Sequence, residues 1–195
     1  MIIGNDRVAR TGKIILILSF ALQVILLILV NYTNAFSAGK GLTRLTNSLA
    51  YSMYLNFGNC ASQFFLIRLF SYQTKKFIPY ALLYILFTLL SHWEVIYAFF
   101  KGYQLGESDL ASLLFGVILT VLIIITIISR FQIIAVITAV GVIGMTVYNI
   151  NTLSRLNTTI NHSLLFGMML CEILFGIGLA LSLLGIAGRK QKQTY

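Results

Sequence analysis

The chain has 195 residues, 58% hydrophobic and only 10% charged, with a mean hydropathy of +0.91. Soluble domains carry about 25% charged residues, so a water-facing fold of this composition is excluded. The formal charge of +9 does not point to nucleic acid. The basic residues lie between and beside apolar runs, where membrane topology and anionic headgroups account for them, and no aromatic platform for bases accompanies them.

Apolar blocks of about 18 residues or more read as membrane spans. Six are legible, at about residues 13–30, 48–70, 77–100, 110–129, 131–150 and 163–187. Each is near the ~20 residues that cross a ~30 Å hydrocarbon core. Helices satisfy the backbone there, and the in/out alternation of a membrane barrel is absent. The expected fold is therefore all-α, one domain of six transmembrane helices.

Arg7, Arg10 and Lys13 precede the first span, as in a secretory signal, but the apolar run from Ile14 to Val30 exceeds a ~7–15-residue signal core. An uncleaved first helix is expected, with Gln23 near its midplane. Asn31 opens the first of three glycosylation sequons; Asn157 and Asn161 open the others.

The second span, "SLAYSMYLNFGNCASQFFLIRLF", carries a polar stripe. At 100° per residue Ser48, Ser52, Asn56, Asn59 and Gln63 fall at about 0°, 40°, 80°, 20° and 60°. Five polar side chains on one face in lipid must turn inward. They act either as glue between helices or as the wall of a polar pathway. Arg68, on the opposite side, is placed to snorkel to the headgroups.

The third span begins with the only proline, Pro79, in the first turn, where its missing N–H costs little. It ends in "SHWEVIYAFF". His92 and Glu94 are about 200° apart on a helix and cannot chelate one ion. Trp93 and Tyr97 resemble an interfacial belt, which would make Glu94 an interfacial residue. Against that stands its depth: Glu94 is ~9 Å below the outer boundary at 1.5 Å per residue.

Residues 110–150 are nearly all apolar and would extend ~62 Å as a single helix. The chain must turn, and Arg130 is the one charged place to do so. The fourth and fifth spans are therefore an antiparallel hairpin. In the sixth span Gly167, Cys171, Gly178, Ser182 and Gly185 form a small-residue face suited to close helix packing or self-association. Glu172, about 100° from Cys171, sits at the edge of that face. It lies ~13 Å from the outer boundary, in the same depth band as Asn56 and Asn59 at ~12 and ~16 Å. Carboxylates in this band require water, a partner or a bound proton.

Lys and Arg counts orient the chain. With the N-terminus inside, Arg7, Arg10, Lys13, Arg68, Lys75, Lys76, Arg130, Arg189, Lys190 and Lys192 fall inside and Lys40, Arg44, Lys101 and Arg155 outside, ten against four of the fourteen. Both termini are expected to be cytoplasmic, in a cell membrane.

No cofactor is expected. There are two histidines, and HExxH, GxSxG, Walker A and CxxC motifs are all missing. Cys60 and Cys171 read as buried thiols. Three functions remain. The first is a transporter, or the membrane subunit of one, with Asn56, Asn59, Gln63, Glu94, Glu172 and Gln23 as pathway or binding candidates. The second is a non-catalytic accessory, assembly, immunity or sensor protein. The third is an enzyme on a lipid-linked substrate, for which Glu107, Asp109 and His162 are the poor candidates. The lipid bilayer is the expected partner, with other membrane subunits or a second copy besides.

The orientation yields a direct test. Single cysteines replacing Ser37 and Thr158 should react with impermeant maleimide in intact cells, while one replacing Gln193 should not. Labelling of Gln193 alone would invert the topology.

Overall fold

The computed structural model describes residues 3–37, 57–70, 77–102, 107–155 and 162–188. These form helices α1 (Asp6–Ser37), α2 (Phe57–Leu69), α3 (Phe77–Ser91), α4 (Trp93–Phe100), α5 (Glu107–Ser129), α6 (Gln132–Arg155) and α7 (His162–Ile186), with no strand among the described residues. Three stretches are long and apolar enough to cross a membrane: Asp6–Leu29, Gln132–Ser154 and Leu164–Ile186. Phe77–Ser91 and Leu113–Ser129 are shorter apolar helices.

Burial differs from that of a soluble protein on the outer face and in the polar groups taken inside. Outward side chains are large and apolar, such as Ile28, Leu82, Ile118, Ile133, Val140 and Phe166, whereas Ser19, Gln23, Gln63, Thr126, Thr138, Glu172 and Ser182 are buried. Apolar solvent explains this. Lipid gives alkyl groups nothing to escape from, while every polar group must find its partner inside the protein. This is the pattern of a membrane protein.

The main pairing is α1 against α7, antiparallel. α1 begins about two turns earlier than hydropathy predicts, and Asn5 Oδ1 accepts a hydrogen bond from the Arg7 amide at 2.9 Å and caps it. Gly12, Leu16, Ser19, Gln23 and Leu26 follow at spacings of four and three, one face of a helix. Gly12 meets Gly178 and Ser182, and Gly185 lies against Ala9. A Cβ on Gly178 would lie 2.8 Å from the Leu16 backbone nitrogen. Farther along, Ser19 Oγ donates to the Cys171 carbonyl at 3.0 Å, and Cys171 Sγ donates to the Ser19 carbonyl at 3.4 Å. The small face of α7 is thus occupied by α1 of the same chain. A second copy binding through those residues would have to displace α1.

α5 and α6 form the hairpin required by length. Arg130 adopts φ 52°, the left-handed conformation that ends a helix. Its amide donates to Thr126 O at 2.9 Å, and its carbonyl accepts from Gly188 N at 2.6 Å. The Gly4 amide donates to Leu184 O at 3.0 Å. The start of α1, the α5–α6 turn and the end of α7 therefore share one end of the bundle, the end that carries Arg7, Arg10, Lys13 and Arg130. Higher in the hairpin, the hydroxyls of Thr126 and Thr138 lie 3.0 Å apart.

The third predicted span is two helices rather than one. The break falls at His92 (φ −103°, ψ 17°). No proline or glycine causes it. The His92 amide bonds to Leu89 O, one residue short of helical register. The Thr88 carbonyl instead accepts from Ser91 Oγ at 2.7 Å and from His92 Nδ1 at 2.9 Å. Side chains inserted into the ladder bend helices in this way.

The close approach predicts opposite responses at two glycines. Gly178→Val should lower the melting midpoint in detergent, by on the order of 1–3 kcal/mol of overpacking. Gly144→Ala, where an added Cβ meets nothing within 4 Å, should be neutral or stabilising. Equal responses would contradict the packing.

Candidate functional site

A cavity of ≈ 390 Å³ lies between α2, α3, α5, α6 and α7. That falls within the range of about 300–1,000 Å³ typical of small-molecule sites. Each wall is set by a packing feature already described. α7 is rotated by its contact with α1, so Cys171 faces α1 and Glu172, the next residue, turns into the cavity. α6 is held against α7 where Thr146 lies directly on Gly176, and it contributes Thr146, Asn149 and Thr152. α2 contributes Asn59, Ser62 and Gln63, and α3 contributes Tyr84, Thr88 and Ser91. The break after α3 turns the His92 ring over Gly116 of α5, with Nε2 3.7 Å from where a Cβ would stand.

Among the described residues Glu172 is the only carboxylate in the lining, and no lysine or arginine accompanies it. It is 6% exposed. Asn149 Nδ2 donates to its Oε2 at 3.0 Å. Gln63 is 4% exposed, and its Oε1 has no hydrogen-bond partner among the described residues. His92 Nδ1 lies 2.9 Å from Thr88 O and 3.0 Å from Ser91 Oγ, and in the tautomer that donates to the carbonyl it carries the hydrogen. In the neutral ring Nε2 then presents a lone pair on the Gly116 side.

Among the residues singled out by sequence, Asn59, Gln63 and Glu172 come together around this space. Gln23 is buried but does not line it; it shares the α1 face of Gly12, Leu16 and Ser19, which is turned to α7. Asn56, with Ser48 and Ser52, lies outside the described residues. Glu94 belongs to α4, and its side chain is likewise outside the described set. Asn149 is the main residue that sequence reasoning missed. Its signal was present: Thr146, Asn149 and Thr152 step by three along an otherwise apolar helix.

The described residues contain no group of three or more His, Cys, Asp or Glu side chains able to hold a metal ion. Cys60 and Cys171 are buried free thiols. No protein-family model matches the chain, nor does any curated protein or solved structure.

The Asn149–Glu172 contact can be tested alone. In a double-mutant cycle with Asn149→Leu and Glu172→Leu, the two losses should be non-additive. A coupling of about 0.6–1.7 kcal/mol is expected for a hydrogen bond in this environment. Strict additivity in melting midpoints would mean that the bond contributes nothing.

Proposed function

We propose that the protein is a six-span, multi-pass protein of a cell membrane, with both termini inside, and that it is a transporter or the membrane subunit of a transport system. The cavity on Glu172 is its binding station, and Asn59, Gln63 and Asn149 form its polar wall. Glu94 and Asn56 are assigned to the approach, on the strength of their depth in the sequence alone, and Gln23, turned to α7, is left out of it. One observation carries this reading. Polar groups that serve as glue touch one another, as Ser19 and Cys171 do and as Thr126 and Thr138 do. Around the cavity, polar groups from five helices line one open volume; Asn149 and Glu172 bond to each other there, and Gln63 Oε1 has no partner among the described residues. Maintaining such a volume in lipid is costly unless something polar enters it.

Entry of water is the test. In a background lacking the native thiols (Cys60→Ala, Cys171→Ala), Met145→Cys places a thiol on the cavity wall and Val140→Cys places one on the outward face of the same helix. The first should react with aqueous methyl methanethiosulfonate and the second should not react at a comparable rate. A silent Met145→Cys in a folded protein would make the polar wall packing and leave the accessory reading in front.

A further inference from the structure

The polarity of the cavity wall specifies the class of its ligand. Six serine and threonine hydroxyls line the cavity. Ser62 donates to Asn59 O, Thr88 to Tyr84 O and Ser91 to Thr88 O. Thr120 donates to Gly116 O, Thr146 to Val142 O and Thr152 to Tyr148 O, all six at 2.7 to 3.0 Å. A hydroxyl has a single hydrogen. Once that hydrogen is committed to the helix's own carbonyl, only lone pairs remain to face the cavity. In the tautomer that donates from Nδ1 to Thr88 O, His92 leaves Nε2 as an acceptor. The donors of the lining are the carboxamides of Asn59, Gln63 and Asn149 and the hydroxyls of Tyr84 and Tyr148, and one Asn149 N–H is engaged by Glu172. The unused Gln63 Oε1 and the Glu172 carboxylate add to the acceptors of the lining, which has no lysine or arginine among the described residues.

From this we infer that the cavity binds a small organic ammonium: a cation whose N–H groups donate to this acceptor wall and whose hydrocarbon part lies against the apolar remainder. The inference rests on the cavity being a binding station, as proposed above, and adds what the station selects. The apolar share of the lining, with Leu66, Ile123, Val142 and Phe175 among it, suits a carbon skeleton. A bare metal ion would need a close shell of oxygen ligands, which a space of ≈ 390 Å³ with one carboxylate does not supply. Tyr84, Tyr148 and Phe175 are aromatic residues of the lining. An anion would meet the Glu172 carboxylate with no lysine or arginine among the described lining residues to offset it.

The Met145→Cys reporter reads occupancy directly, as slower modification when a probe fills the cavity. Four probes share one ring: benzylammonium, benzyltrimethylammonium, benzyl alcohol and benzoate. Benzylammonium should protect best, about tenfold better than benzyltrimethylammonium, which keeps the charge but has no N–H to donate. Benzoate should not protect, and Glu172→Gln should remove the preference for benzylammonium. Should Glu172→Gln fail to fold, Gln63→Met, which keeps length and loses the carboxamide acceptor, should weaken benzylammonium protection instead. Equal or better protection by benzoate or benzyl alcohol, equal protection by the two cations, or no protection by any probe would each overturn the ammonium assignment while leaving a hydrated cavity. A reporter that is never modified would remove the binding station itself, and this inference with it.

Discussion

Backbone meets backbone where Gly12 of α1 crosses Gly178 of α7, and the remaining arrangement is referred to that contact. Lipid tails are as apolar as leucine, so helices in a bilayer gain little from hiding hydrocarbon. Close van der Waals approach and shared hydrogen bonds must hold them. Gly12, Gly178 and Gly185 permit the approach, and the reciprocal Ser19–Cys171 bonds lock its register. The contact also fixes the rotation of α7 about its axis. With Cys171 turned to α1, Glu172 has one place to go, which is the space between α7 and α6. A packing feature with no chemistry of its own thereby aims the one carboxylate of the cavity.

The same solvent explains why the hydroxyls behave as they do. In water a threonine could exchange its own carbonyl for a water molecule. In a helix packed in lipid the carbonyl three or four residues back is the nearest acceptor, and the hydroxyl donates to it. Each such bond is local and weak. Repeated on α2, α3, α5 and α6 around one volume, the bonds give the cavity a collective sign: they consume hydrogens and leave lone pairs. The electrostatic character of the site thus arises from a backbone habit as much as from Glu172.

Much of this was legible in the sequence, and the unread parts share a cause. The hairpin at Arg130 followed from length, because no bilayer accepts ~62 Å of apolar helix. Asn59, Gln63 and Glu172 were legible as inward polar groups, because lipid leaves them no alternative. The small face of α7 was legible as a contact, but not which helix would fill it. Gln23 shows the limit most clearly: its depth was right for a pathway, while its rotation was decided by glycines two and three turns away. The break at His92 was unreadable for a different reason. Thr88, Ser91 and His92 are all compatible with a continuous helix, and only their joint claim on one carbonyl interrupts it.

That break connects the two halves of the account. A straight helix through residue 92 would leave the Thr88 carbonyl bonded to the His92 amide, and the imidazole would keep Nδ1–H for other partners. The break reverses both. Thr88 O becomes the acceptor for two side chains, and the ring is pinned with Nε2 toward Gly116. Gly116 matters because it has no side chain to fill the space beside the ring. The cavity therefore owes a wall to a helix defect, an acceptor to the bond that causes the defect, and its width at that point to a glycine on the facing helix. Sequence features that look incidental when taken singly (a His before a Trp, a Gly in an apolar run) become one device when the backbone bends between them.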